Sequence, residues 1–169
     1  MAIEIERKFL ISRDDWRRLV TETKRIRQGY LGRDDSFAIR IRITDKRHGS
    51  LTVKSSQVEL SRLEFEYSIP LADAEQLLSQ CRGHIIAKVR HLVPWQGLVW
   101  EIDLFTGDNA GLIIAEVELA SEDQQLDLPG WIGDEITGQK RYSNSWLVDH
   151  PFTSWSIDES EYDGDVTRI

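Results

Sequence analysis

The sequence is short of cysteine, of basic charge and of long apolar runs. Cys81 is the one cysteine among 169 residues, so no intramolecular disulfide can form, in keeping with a reducing cytoplasm. No apolar run approaches the roughly 18 residues that a membrane span needs. No basic region followed by an apolar stretch and a small-residue cleavage site opens the chain, so no signal peptide is expected. Lys and Arg number 21 against 29 Asp and Glu, a net charge of −8. That deficit argues against general affinity for nucleic-acid backbones, which depends on excess Lys and Arg. It leaves room for a small anion in a local basic pocket. His48, His84, His91 and His150 show no zinc spacing with the cysteine, and Cys81 sits on an apolar helical face, not in a nucleophile's setting. There is no βαβ rhythm, no domain linker and no repeat of solenoid length.

What is present is alternation. Strand-like segments run over 3–11, 25–31, 37–44, 50–56, 62–70, 84–93, 98–105 and 112–120. DKRHGS after the third reads as a hairpin turn. A helix is expected over 12–22, with Ser12 and Asp15 at capping-box spacing. A second is expected over 71–83, with Ala74, Leu77, Leu78 and Cys81 on one face and Gly83 as its C-terminal cap. A short helix capped by Ser121 and a weakly striped one over 137–150 complete the list of elements. The fold class is α+β: an antiparallel sheet or barrel with appended helices. One domain spans 1–150, followed by an acidic tail over 151–169 that is poor in apolar residues and expected to be disordered.

The strands carry a peculiar polar face. Glu4, Glu6 and Lys8 alternate with apolar neighbours. So do Arg40 and Arg42, Lys54, Glu64 and Glu66, Lys88 and Arg90, Glu101 and Asp103, and Glu116 and Glu118. A sheet with one wet face shows such alternation routinely. These faces, however, are nearly pure charge, and they come as like-charged pairs. Like charges held close need a counter-ion. Carboxylate pairs suit a hard divalent cation, and Arg forks suit phosphate. If every ionic face turned into one closed barrel, the lumen would gather eight acids and six bases. It could then host metal ions and a phosphate chain, with the apolar outer faces covered by helices and tryptophans.

The motifs EIERK, FAIRIRI, LTVK, LEFEYSI, AKVRHLV, WEIDLF, AEVEL and DEITGQKRYSNSWL occur in that order, and RQGYL precedes the Arg-x-Arg strand. The set resembles the triphosphate tunnel metalloenzymes, or CYTH-domain proteins, over roughly residues 1 to 148, and is most like their small bacterial inorganic triphosphatases. The resemblance implies an eight-stranded antiparallel barrel forming a charged tunnel, with helices outside. It implies metal-dependent hydrolysis of a triphosphate, inorganic tripolyphosphate above all, with Mg²⁺ or Mn²⁺ as cofactor. Adenylate cyclase and thiamine or nucleoside triphosphatase activities share the same motifs. A polyphosphate-binding module without catalysis is the non-enzymatic alternative.

The resemblance also implies residue roles. Glu4, Glu6, Glu116 and Glu118 would hold metal. Arg40, Arg42, Lys54, Lys88 and Arg90 would bind phosphate, with a structural ion pair as the alternative for each. Lys8 would touch the scissile phosphoryl group, and Glu118 or Glu64 would take the proton from water. Glu64, Glu66, Glu101 and Asp103 would orient the bases or hold water on the metal. Tyr30 would contact substrate and Lys140 or Arg141 would close one tunnel end, against helix packing or surface roles. The expected partner is a small triphosphate-bearing substrate, with no nucleic acid and no membrane, and a homodimer is left open. The acidic tail is a candidate to occupy the basic lumen and inhibit.

Overall fold

The structure, a computed structural model, describes residues 3–55 and 61–155. Among the described residues nine strands form: β1 (Ile3–Ile11), β2 (Glu22–Arg33), β3 (Phe37–Thr44), β4 (His48–Ser55), β5 (Ser61–Ile69), β6 (Arg82–Trp95), β7 (Leu98–Thr106), β8 (Ile113–Glu118) and β9 (Ile132–Glu135). All pairings are antiparallel. The order β1–β5–β4–β3–β2–β6–β7–β8 returns to β1, so eight strands close a barrel. β1 pairs β5 through Ile3–Ile5, β8 through Glu6–Leu10, and the extra strand β9 near Phe9 and Ile11. Closure leaves the barrel strands with few bare edges and fixes an inside and an outside.

Tight turns set the register. Asp45 and Lys46, between β3 and β4, both have positive φ, 53° and 57°. Gln96 and Gly97 link β6 to β7 at φ 48° and 78°. Left-handed turns of this kind match the twist of a hairpin.

The outer apolar faces are covered in two places. Trp16, on the 3₁₀ turn Asp15–Leu19, packs with Phe9, Trp100, Ile102, Val117 and Trp131 over β1, β7 and β8. Helix α1 (Leu71–Ser79) lays Ala74 and Leu78 on Ile41 and Ile43 of β3. Gly49 permits that approach, since a Cβ there would lie 2.6 Å from the Ala74 Cβ. Leu63, Phe65 and Tyr67 on the outer face of β5 stay exposed.

A third cluster lies inside. Leu10, Tyr30, Ile86, Phe105 and Ile114 have the same strand parity as the charged rows and so face the lumen at its far end. Ile136, Tyr142, Leu147, Val148, Phe152 and Trp155 pack on them from the C-terminal segment. An apolar plug therefore fills one end of the barrel. The Asn109 side-chain oxygen accepts the Phe152 N–H at 2.8 Å and helps pin the plug.

Several sequence expectations change here. The helix over 12–22 is only the 3₁₀ turn at Asp15–Leu19, because Val20 is already extended and β2 begins at Glu22. Ser12 does not cap it; its hydroxyl donates to the Ile132 carbonyl. The helix over 137–150 is two short pieces, a 3₁₀ turn at Lys140–Tyr142 and α2 (Asn144–Leu147). Ser143 is extended between them, and its oxygen accepts the Trp146 N–H as the N-cap of α2. Residues 121–124 form a turn, closed by Gln124 N–H on the Ser121 carbonyl. Residues 151–155, grouped with the tail by composition, carry Phe152 and Trp155 into the plug. The remainder of the expected tail, 156–169, lies outside the described residues.

Candidate active site

Strand alternation delivers the charged rows to one chamber. It has a volume of about 480 Å³ and is lined by Glu4, Glu6, Lys8, Arg40, Arg42, Lys54, Arg62, Glu64, Glu66, Arg90, Glu101, Glu116 and Glu118, with Val99 the one apolar residue among them. The register makes this unavoidable: Glu6 lies opposite Glu118, Lys8 opposite Glu116, Lys54 opposite Glu64, and Glu101 opposite Glu116.

Charge is sorted around the wall. On the β8–β1 side, Lys8 Nζ sits between Glu6 at 3.4 Å and Glu116 at 3.5 Å. Burial opposes its charge, but Glu116 and Glu6 outweigh burial and hold the ammonium above its ordinary range. Burial alone would raise the Glu116 carboxyl, yet Lys8, Arg90 and Lys88 bring it well below the usual carboxylate range. Glu118 is different. Burial, then repulsion from Glu4, Glu64 and Glu6, pushes its carboxyl up. Arg62, from β5, forks onto Glu4 at 2.5 Å and Glu6 at 2.7 Å. Lys54 joins Glu4 at 3.1 Å to Glu64 at 2.9 Å. Despite those two carboxylates, Lys54 titrates below its ordinary value, because burial, Arg62 and Arg40 act against its charge.

The β3 side is basic and undercompensated. Arg42 donates from Nε to the Gln28 side-chain oxygen at 2.9 Å and makes no ion pair among the described residues. Burial, then Arg40 and Arg90, depress its guanidinium to about 10. Arg40 donates to Thr52 at 3.0 Å and Glu66 at 3.4 Å, while its buried Nε has no hydrogen-bond partner among the described residues. An orphan buried donor costs stability unless a ligand satisfies it. Arg90 is held at both prongs by Asp103, at 2.8 and 2.8 Å, and reaches Glu101 at 2.5 Å.

Three expected site residues stand off the lining. Tyr30 shares the lumen parity but lies in the apolar plug, 8% exposed. The Lys88 side chain shares that parity but is wholly buried on the plug side of the chamber, 5.3 Å from the Phe105 ring centre, where its Nζ donates to Asp103 at 2.6 Å and to Asn144 of α2 at 3.3 Å. Lys140 is exposed on the C-terminal segment, its ammonium 5.1 Å from the Trp146 ring centre. Conversely, Arg62 and Gln28 were not singled out. Arg62 shares the parity of Glu64 and Glu66, and that spacing was the available signal. Gln28 is neutral, and only its position across from Arg42 reveals it.

The carboxylate rows suit a hard divalent cation in chemistry, all oxygen donors on adjoining strands. Among the described residues no three acidic side chains are gathered closely enough to hold one. The ion pairs explain this: Arg62, Lys54 and Lys8 lie between the acids and engage their oxygens. Burial, then repulsion from Glu4, Glu64 and Glu6, raises Glu118, so a nearby cation would favour its charged form. A divalent cation could reach this carboxylate row only by displacing those ion pairs, while the arginines of β3 suit a polyanion.

A family model described as the CYTH domain matches residues 2–145. An inorganic triphosphatase of Acetivibrio thermocellus is 41% identical over 156 residues, covering 92% of this chain and 99% of that one. An inorganic triphosphatase of Nitrosomonas europaea is 37% identical over 150 residues, covering 86% and 96%. The crystal structure of the inorganic triphosphatase NE1496 superposes with a TM-score of 0.62 at 35% identity, covering 88% of this chain and 95% of that one.

Proposed function

The chain belongs to the CYTH domain family, and from that premise we propose that it hydrolyses inorganic tripolyphosphate to pyrophosphate and phosphate with Mg²⁺ or Mn²⁺. The observation that carries this reading is the pairing of two undercompensated arginines on β3, Arg40 and Arg42, with a facing carboxylate row. A short phosphate chain carries the charge and the acceptor oxygens that those arginines lack. Relatives that bear the name inorganic triphosphatase align along nearly the whole barrel.

Each residue then has a task. Arg40 and Arg42 grip terminal phosphate oxygens through donors that have no carboxylate of their own or are only partly satisfied. Arg90, fixed by Asp103, turns to the chain the nitrogen that Glu101 holds in its absence. Holding three phosphates in one line turns an intermolecular attack into a positioned one. Lys8, kept protonated by Glu6 and Glu116, donates to the phosphoryl group under attack. Glu118 takes the proton from water. Glu4, Glu6, Glu116 and Glu118 would hold the cation, which supplies charge neutralisation of the phosphate oxygens and polarisation of the attacking water. No covalent intermediate is needed.

The cyclase alternative asks for an apolar or stacking site for adenine. Among the described residues the chamber lining has Val99 as its lone apolar side chain, which favours a bare phosphate chain. The experiment is direct. Purified protein is incubated with tripolyphosphate, ATP or thiamine triphosphate plus Mg²⁺, and orthophosphate, pyrophosphate and cyclic AMP are separated. The proposal expects orthophosphate and pyrophosphate from tripolyphosphate at the highest rate. Cyclic AMP as the main product from ATP, or no turnover of tripolyphosphate, overturns it.

A further inference from the structure

Arg62 stands apart from the other lumen cations. It comes from β5, at the acidic side of the wall, and its register partner on β1 is Glu4. Its Nε meets Glu4 Oε2 at 2.5 Å and its Nη2 meets Glu6 Oε1 at 2.7 Å. One planar guanidinium thus bridges the two carboxylates of the first strand. Both are acids assigned above to the divalent cation. Lys54 contacts Glu4 but not Glu6, and Lys8 contacts Glu6 but not Glu4, so among the described residues only Arg62 spans the pair.

We propose that Arg62 is a built-in counter-ion that occupies the Glu4–Glu6 carboxylate pair in the cation-free protein and must leave it for a divalent cation to bind. The inference rests on the triphosphatase reading, since that reading assigns the cation to these acids. Its physics is simple. A monovalent guanidinium and a divalent cation held within a few Å of one another repel strongly in a chamber of low effective dielectric. Cation and guanidinium compete for the same two oxygens, Glu4 Oε2 and Glu6 Oε1. Arg62 therefore keeps two adjacent acids from repelling each other, and it sets a competition that weakens cation binding. Once displaced, the guanidinium is free beside the chamber to meet phosphate oxygens. Cation binding and triphosphate binding then favour each other, because the phosphate chain stabilises the arrangement in which Arg62 has left the acids.

The test reads Mn²⁺ alone, without substrate. Free Mn²⁺ is followed by its electron paramagnetic resonance signal during titration of the wild type, Arg62→Gln and Arg40→Gln. Arg40 supplies the control: it is a lumen cation of equal charge that touches Glu64, Glu66 and Thr52 but neither Glu4 nor Glu6. Displacement predicts that Arg62→Gln tightens Mn²⁺ binding by about tenfold or more, and Arg40→Gln by less than about threefold. Equal affinity in Arg62→Gln and wild type overturns the inference, as does equal tightening in both variants, which would reduce the effect to net charge. If Arg62→Gln fails to fold, Arg62→Lys replaces it. An ammonium reaches one carboxylate at a time, so the expected tightening has the same sign and a smaller size, and no change overturns the inference. A wild type that binds no Mn²⁺ and leaves tripolyphosphate intact overturns the functional reading and this inference together. A wild type that binds and hydrolyses, with Arg62 variants unchanged, overturns this inference alone.

Discussion

Arg90 and Asp103 form a two-pronged pair across adjacent strands, with both nitrogen–oxygen distances at 2.8 Å and the carboxylate wholly buried. Lys88 adds a third hydrogen bond to the same carboxylate, at 2.6 Å from behind. Asp103 thus sets where the Arg90 guanidinium points. Burial opposes the Asp103 charge, but Arg90 and Lys88 hold its carboxyl below the ordinary value.

Asp103→Asn keeps the shape and removes the charge. Two buried cations then lose their shared counter-ion, a change that costs about 3–5 kcal/mol in comparable buried pairs. Chemical denaturation is expected to show a loss of that order, together with a fall in kcat/KM for tripolyphosphate. Stability within about 0.5 kcal/mol of wild type would show that Asp103 does not anchor this wall.

Lys88 gives a pH signature. Burial, then Arg90 and Arg42, lower its ammonium from the ordinary 10.5 to about 8, against the pull of Asp103. A base whose folded value lies below its unfolded one penalises folding while it is charged. That penalty is full below pH 8 and fades as pH rises from about 8 towards 10.5. Urea midpoints for wild type and Lys88→Met at pH 7, 8.5 and 10 should therefore diverge, with wild type gaining relative to the variant as pH rises. A constant gap would contradict this.

Arg42 and Arg7 separate lumen from exterior. Among the described residues Arg42 has a single side-chain partner, Gln28, and an undercompensated charge. Arg42→Ala should lower kcat/KM for tripolyphosphate by about tenfold to a hundredfold, the range of one charged hydrogen bond. Arg7 forks onto Glu135, outside the chamber, in a partly exposed pair. Arg7→Ala should leave kinetics unchanged and cost less than about 1 kcal/mol. Equal kinetic effects of the two substitutions would place the substrate elsewhere.

The plug is open to the same kind of check. Phe152 is 2% exposed among Tyr142, Trp155 and the lumen-facing apolar residues. Phe152→Ala should cost about 3–5 kcal/mol, and a chain ending at His150 should lose more, since Trp155 goes too. An unchanged melting temperature for Phe152→Ala would show that the C-terminal segment does not seal the barrel.

Most of the barrel and the charged wall was legible because a strand's side chains alternate with a period of two. Glu4, Glu6 and Lys8 had to share a face, and so did Arg40 with Arg42 and Glu116 with Glu118. What parity leaves open is depth along the barrel. Tyr30, Lys88 and Arg90 share a side, yet Arg90 lines the chamber, Lys88 is sealed behind Asp103 and Tyr30 lies in the plug. Arg62 was overlooked although its spacing to Glu64 and Glu66 follows the same rule. The plug was invisible because Ile136, Tyr142, Leu147, Phe152 and Trp155 follow no regular period. β9, four residues with a glycine, is held by its pairing with β1 and not by its own pattern.

The central claim is that the ionic rows converge to hold a cation and a phosphate chain on facing walls. Its most direct test is a crystal structure of Glu118→Gln, slowed in turnover, grown with Mn²⁺ and tripolyphosphate and measured at the manganese absorption edge. The account predicts an anomalous peak beside Glu4, Glu6 and Glu116, with phosphate oxygens on Arg40, Arg42 and Arg90. Manganese and phosphate found only on the outside of the barrel, with the chamber ion pairs undisturbed, would contradict it.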